Sequence, residues 1–152
     1  MPSPKPSDCP LLIVDTREQT PYEFAIESTR STLKTGDYSV SGLENEIAIE
    51  RKELGDFLNC LTNDRERFER ELDRAAQMRR LWVVIESDLR KIAGGNYRNL
   101  VPSEAVLGTF AAWENRYPSV RFVWASDRKT GQRVTEKLLV RAWLDHASGR
   151  VW

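Results

Sequence analysis

Apolar and polar positions along the chain follow two periods, and the change between them falls in its most charged segment. Residues 11–16 open with Leu11, Leu12, Ile13 and Val14, an unbroken apolar run that predicts a buried strand. The run turns polar at Asp15, Thr16, Arg17 and Glu18, and Thr20-Pro21 breaks it. Residues 31–40, STLKTGDYSV, and 45–52, NEIAIERK, read as two strands. The turn residues between them, Ser41-Gly42-Leu43-Glu44-Asn45, predict a hairpin. From Lys52 to Arg80 the period becomes helical. Leu54, Phe57, Leu58 and Leu61 make one stripe, and Phe68, Leu72, Ala75 and Ala76 make another. The tetrapeptide LTND separates them, and Asn63 with Glu66 has the spacing of a capping pair that restarts the helix.

The segment LWVVIES, residues 81–87, predicts a second buried strand, followed by a loop at Gly94-Gly95. A helix over 102–117 carries Val106, Phe110 and Trp113 on one side. The segment VRFVWAS, 120–126, is a third buried strand, and 128–146 is a closing helix with Val134, Leu138, Val140 and Leu144 spaced around it. The order β-β-β-α-β-α-β-α predicts an α/β domain over residues 11–152, a mixed central sheet flanked by helices on both faces.

Composition narrows the function. The 23 basic and 23 acidic side chains cancel, so any nucleic-acid binding must come from a local basic face and not from a field of the whole molecule. Cys9 and Cys60 lack zinc-ligand spacing, and the lone histidine, His146, lies far from every motif, which excludes histidine-dependent nuclease chemistry. The first ten residues, MPSPKPSDCP, hold four prolines and no apolar signal sequence, and predict a disordered leader. No apolar run is long enough for a membrane span. The expected location is the cytoplasm, or with the DNA in a nucleoid; secretion is not expected.

The hairpin brings the charges together. Pairing Val40 with Ile47 also pairs Tyr38 with Ile49, so that both apolar pairs share one face, and a one-residue slip would destroy the match. Asp37 then lies opposite Glu50 on the other face, with side chains starting roughly 5 Å apart. Lys52 points the same way. Two carboxylates that close repel each other unless a cation sits between them. Hard oxygen ligands with room for water favour Mg²⁺ or Mn²⁺. A lysine beside such an ion can orient water or stabilise a phosphorane-like transition state, so Asp…Glu-x-Lys is a working site for phosphodiester hydrolysis. A salt-bridged sheet edge is the plainer alternative. Asp15 ends an apolar strand where an unpaired carboxylate is costly. Either Arg17, Glu18 or Arg51 engages it, or it is a further metal contact.

These residues resemble a known family. VDTRE (14–18), TGDY (35–38), IERK with Asp56 four residues beyond Lys52, and DRERFERE (64–71) are similar to the ERCC4-type, or XPF/Mus81-like, nuclease domain. Its GD…ERKxxxD signature stands here as Gly36-Asp37…Glu50-Arg51-Lys52-Glu53-Leu54-Gly55-Asp56. The resemblance extends more loosely through LWVVIES and the two later helices. It implies a restriction-endonuclease-like fold and metal-dependent cleavage of branched, forked or flapped DNA. It further implies that Asp37 and Glu50 are metal ligands, that Lys52 is the water-orienting base or stabiliser, and that Asp15 is a further acid. Arg17, Glu18, Arg51 and Asp56 would fix those ligands. Arg51 falls on the apolar side of its strand and needs a carboxylate, for which Glu18 and Asp56 are the nearest offers. Noncatalytic relatives lose the acids, and this chain keeps them. Larger members add a helicase-like region or tandem helix-hairpin-helix domain, and the 152 residues contain neither.

Four further residues are candidates for DNA contact: Arg65 and Arg67 near the start of the second helical stripe, and Tyr97 with Arg98 in GGNYRN, a stacking and phosphate pair. Arg70 and Arg74, interleaved with acids, read as a solvated face. The resemblance implies dimerisation through the late strand and helices, so Trp124, Leu138, Leu139, Trp143 and Leu144 are expected to leave apolar surface for a homodimer. A DNA-binding or scaffolding module that needs a partner subunit is the competing class of function.

Overall fold

Leu12–Val14 (β1) is buried along its whole length because it is paired on both sides, as its unbroken apolar run requires. In the computed structural model, which describes residues 9–150, β1 lies between Ser28–Arg30 (β2), parallel, and Tyr38–Val40 (β3), antiparallel. Most of the leader expected over 1–10 lies outside the described residues. Ile47–Glu53 (β4) pairs antiparallel with β3, and Arg80–Glu86 (β5) and Val120–Trp124 (β6) extend the sheet in parallel. The order is β2-β1-β3-β4-β5-β6. The fold is therefore the mixed α/β sheet that the sequence predicts, with Tyr38 opposite Ile49 as the alternation demands.

Two strand expectations need correction. β2 is not predicted, since its three residues are all exposed and carry no apolar signal. The strand expected over 31–40 shrinks to its last three residues, because Gly36 turns the chain at φ +85°. A Cβ on Gly36 would stand 2.7 Å from the Ala48 Cβ and 2.9 Å from the Ile49 carbonyl oxygen, so only glycine lets this segment lie against β4.

The helical region divides at residues 60–64 into Leu54–Asn59 (α1) and Arg65–Ala75 (α2). The expected Asn63/Glu66 capping pair does not form. Asp64 holds the cap position without a side-chain cap bond and pairs with Arg67 at 3.3 Å. Leu89–Ala93 (α3) is a single turn or so in the expected Gly94-Gly95 loop region, and Ser103–Arg116 (α4) and Arg128–Ala147 (α5) match the two later helices. Asp127 caps α5 by accepting from the Thr130 amide at 2.7 Å.

Helices cover both faces. On one, Phe57, Leu58, Phe68, Leu72, Val106 and Trp113 pack against Ala48, Val83 and Ile85. On the other, Leu139 and Ala142 of α5 pack against Tyr38, Val40, Ile47, Ile49 and Val84. Trp113 is fully buried, and Trp82 and Trp124 are half-buried packing residues. β4 consequently sends Ala48, Glu50 and Lys52 toward α2, and Ile47, Ile49 and Arg51 toward α5. Cys9 and Cys60 are both free.

Candidate active site

Backbone bonds from β4 fix Asp37 from two sides. Its amide donates to the Ile49 carbonyl at 2.7 Å, and its Oδ2 accepts from the Arg51 amide at 2.8 Å. The Tyr38–Ile49 register, continued by one residue, sets Asp37 across from buried Glu50. The Lys52 Nζ stands 3.5 Å from Glu50 Oε1 and 5.3 Å above the Phe68 ring. These groups line a cavity of about 250 Å³ together with Asp15, Arg17, Lys34, Arg67, Glu71 and Arg74.

Burial dominates the electrostatics of this cavity. Burial, with Glu18 and Glu71 nearby, pushes the Asp37 carboxyl up to about 7 against the opposing Arg51 amide and Lys52. Burial, Asp37 and Glu71 push Glu50 well above the ordinary carboxylate range, and a Glu71 hydrogen bond adds to the effect. Burial disfavours the charge on Lys52, yet Glu50 and then Glu71 and Asp37 outweigh it and raise its pKa. Acids so placed hold either protons or a cation. Their chemistry fits a hard divalent ion bound by one or two carboxylates with water completing the set. Among the described residues no three His, Cys, Asp or Glu side chains are already drawn to ligand distance. The fit is thus with Asp37 and Glu50, and Glu71 beside them.

Asp15 is almost fully buried in the same cavity wall, with both oxygens engaged. Oδ2 accepts from Arg17 Nε at 2.8 Å and the Arg17 amide at 3.3 Å, and Oδ1 from the Leu33 amide at 2.8 Å and Arg17 Nη2 at 3.2 Å. Burial would raise its pKa, but the Arg17 and Leu33 bonds hold it below the usual value. Of the options open in the sequence, the engagement by Arg17 is formed, and any ion contact would have to displace these donors.

Arg51 carries the main correction. Its principal partner is Glu86, at 2.9 Å from Nε and 3.2 Å from Nη2, with Glu53 at 3.1 Å and Glu18 only at 3.8 Å. Asp56 is exposed in the first turn of α1 and takes no part. Parallel pairing of β5 on β4, with Glu53 opposite Glu86, supplies the partner that the sequence order hides. Tyr22 donates from Oη to Glu86 at 2.5 Å, and its ring lies under the Arg51 guanidinium at 5.1 Å. Tyr38 donates to Glu18 at 2.7 Å, so this polar network braces the face behind the cavity.

The expected DNA contacts separate. Arg67 reaches the acidic cavity. Arg65 instead bonds Glu69 at 2.9 Å and Thr109 at 3.3 Å and lies over Trp113, tying α2 to α4. Tyr97 donates to the Val101 carbonyl at 2.7 Å, and with Arg98 it lines a different cavity of about 550 Å³ beside α1. Glu71, Lys34 and Arg74 are site residues that the sequence reading missed.

A mixed sheet covered on both faces, with paired acids on a hairpin and a lysine two residues on, is a restriction-endonuclease-like fold. The ERCC4 domain family model matches residues 14–138, and the chain belongs to that family. Among solved structures, XPF from Aeropyrum pernix superimposes with a TM-score of 0.73 at 23% identity, covering 94% of this chain. At that identity the likeness is one of fold, and the present chain spans 65% of the Aeropyrum chain. No curated protein sequence matches significantly. Among the described residues no helix is long and apolar enough to cross a membrane.

Proposed function

We propose that this domain is a metal-dependent, structure-selective DNA endonuclease that hydrolyses phosphodiester bonds in branched, forked or flapped DNA. The observation that carries the reading is that Asp37 and Glu50 line one cavity, both driven toward protonation by burial and by neighbouring acids, with the Lys52 ammonium 3.5 Å from Glu50. Asp37 and Glu50 would hold the ion, Mg²⁺ or Mn²⁺, with Glu71 as a third acid in the wall of the same cavity. When bound, such an ion supplies positive charge to the phosphate and activates water. Lys52 stays protonated, because its acids raise its pKa. That favours a role as a fixed charge on the phosphoryl oxygens over a role as base. Arg51, held by Glu86, keeps the strand carrying Glu50 and Lys52 in place.

The test is incubation of pure protein with flap, fork and blunt duplex DNA in Mg²⁺, in Mn²⁺ and in chelator. Metal-dependent cutting of the branched substrates is expected, and binding without cutting under all conditions would favour the scaffolding class. Lys52→Ala should lower the single-turnover rate by about 10²-fold or more with little change in DNA affinity, since its charge acts where charge develops. A variant that lost chiefly affinity would make Lys52 a phosphate anchor. Such an activity belongs in the compartment that holds DNA.

A homodimer would give a chain of zero net charge two contact points on a branched substrate. Leu139 is withdrawn into the core, but Leu138, Trp143 and Leu144 of α5 and Trp124 of edge strand β6 remain part-exposed. Sedimentation at micromolar concentration should show a dimer. A strict monomer that still cuts branched DNA efficiently would rule this out.

A further inference from the structure

Two cations at the acidic cavity are engaged by no side chain. Arg17 is paired with Asp15, Arg67 with Asp64 and Lys52 with Glu50. Among the described residues, Lys34 in the loop before β3 and Arg74 in the last turn of α2 make no ion pair or side-chain hydrogen bond. Both also line a second groove, of about 310 Å³, whose other walls include Met78, Asn45 and Gln77. The two cavities therefore share the wall on which Lys34 and Arg74 stand.

The chemistry changes across that wall. On one side are Asp37, Glu50 and Glu71, which repel a polyanion until a cation compensates them. On the other is a groove of mostly apolar surface with a half-buried methionine, two side-chain amides and a single carboxylate, Glu44, which accepts from the Gly42 amide. A polarisable thioether can lie against a ring system, and amides can donate to and accept from its edge. Cations that track a phosphate backbone beside a surface for stacking are how single strands are held. Its volume, at the small end for ligand sites, suits one ring system.

The geometry points to a nucleotide subsite: Lys34 and Arg74 hold a phosphate adjacent to the one that is cut, and the unpaired base beside it lies in the groove against Met78. This rests on the nuclease reading and adds to it that the cut strand is single-stranded on this side. A paired base cannot turn out of its stack into the groove without losing its partner.

The experiment is metal-free binding, in chelator, of a forked DNA with a single-stranded arm, of the same fork with abasic positions in that arm, and of blunt duplex. Wild type should bind the intact fork roughly tenfold more tightly than the abasic fork or the duplex. Lys34→Ala/Arg74→Ala should weaken fork binding by about tenfold or more and reduce the salt slope by about 0.7, the value for one lost single-strand phosphate contact. Met78→Ala should erase the preference for the intact arm and leave the salt slope unchanged. An unchanged slope in the double variant overturns the proposal, as does equal wild-type affinity for intact and abasic arms. If wild type cuts branched DNA while either result holds, the subsite fails alone. If wild type neither binds nor cuts DNA, the nuclease reading fails and takes the subsite with it.

Discussion

Asp37→Asn or Glu50→Gln should reduce DNA cleavage by about 10³-fold or more, a barrier increase of about 4 kcal/mol, in a protein that remains folded. Each change removes one of the charges that would hold the ion while keeping the side chain's shape. Asn at position 37 can still accept from the Arg51 amide, now 2.8 Å from Oδ2. Stability supplies a second readout. The Asp37 carboxyl titrates near 7 in the folded, metal-free protein against an ordinary value of 3.8, because burial and then the neighbouring acids favour its neutral form. A carboxyl whose pKa is raised on folding contributes stability that is present below pH 4 and is lost as pH rises to about 7. In chelator, wild type should therefore lose stability relative to Asp37→Asn across that window, by up to about 4 kcal/mol at pH 8. Adding Mg²⁺ at pH 8 should raise the melting temperature of wild type and not of the variant. Wild-type cleavage rates in either variant, or full activity in excess chelator, would defeat the assignment.

What the sequence makes legible is what local alternation controls. Tyr38, Val40, Ile47 and Ile49 admit one hairpin register, and that register alone places Asp37 opposite Glu50. Glu71 escapes notice because it sits in an arginine–glutamate alternation that reads as a solvated surface. Its position does carry a signal. Phe68, Glu71, Leu72 and Ala75 fall at i, i+3, i+4 and i+7, so the acid lies on the stripe that α2 buries. A glutamate on a core stripe needs a partner, and here Glu50 is beside it. Lys34 and Arg74 carry no such signal, since both are exposed and gain meaning only when α2 crosses the sheet. β2 is equally silent: three exposed residues form a strand only because β1 offers a free edge. Glu86 is hidden for another reason, because a parallel neighbour is chosen by a crossover and not by a turn.

The same hidden pairing makes Arg51 a position whose loss should cost much stability. Its side chain is 8% exposed and that of Glu86 is 6%, so the two-pronged contact between them is shielded from water. Burial alone would lower the pKa of Arg51, but Glu86 raises it, so the guanidinium keeps its charge. Removing one member of such a pair leaves the other charge buried, at a cost of about 3–5 kcal/mol, whereas removing both is often close to neutral. Arg51→Met should therefore lower the urea midpoint by an amount equivalent to about 3–5 kcal/mol, and adding Glu86→Leu should recover much of it. Tyr22 sets how much. Its hydroxyl donates to Glu86, and the guanidiniums of Arg51 and Arg128 stand 5.1 and 5.2 Å from the centre of its ring. The Arg128 guanidinium also donates to the Thr20 and Pro21 carbonyls at 2.8 and 3.0 Å. The double variant leaves the Tyr22 hydroxyl without its acceptor, a residual penalty of about 1–3 kcal/mol. A double-mutant cycle separates the terms: if each single loss costs about 3–5 kcal/mol and the double costs less than either, the coupling between Arg51 and Glu86 is at least about 3 kcal/mol. Additive single variants, or an Arg51→Met midpoint within error of wild type, would mean that the strand carrying Glu50 and Lys52 is held by its backbone ladder and not by this pair.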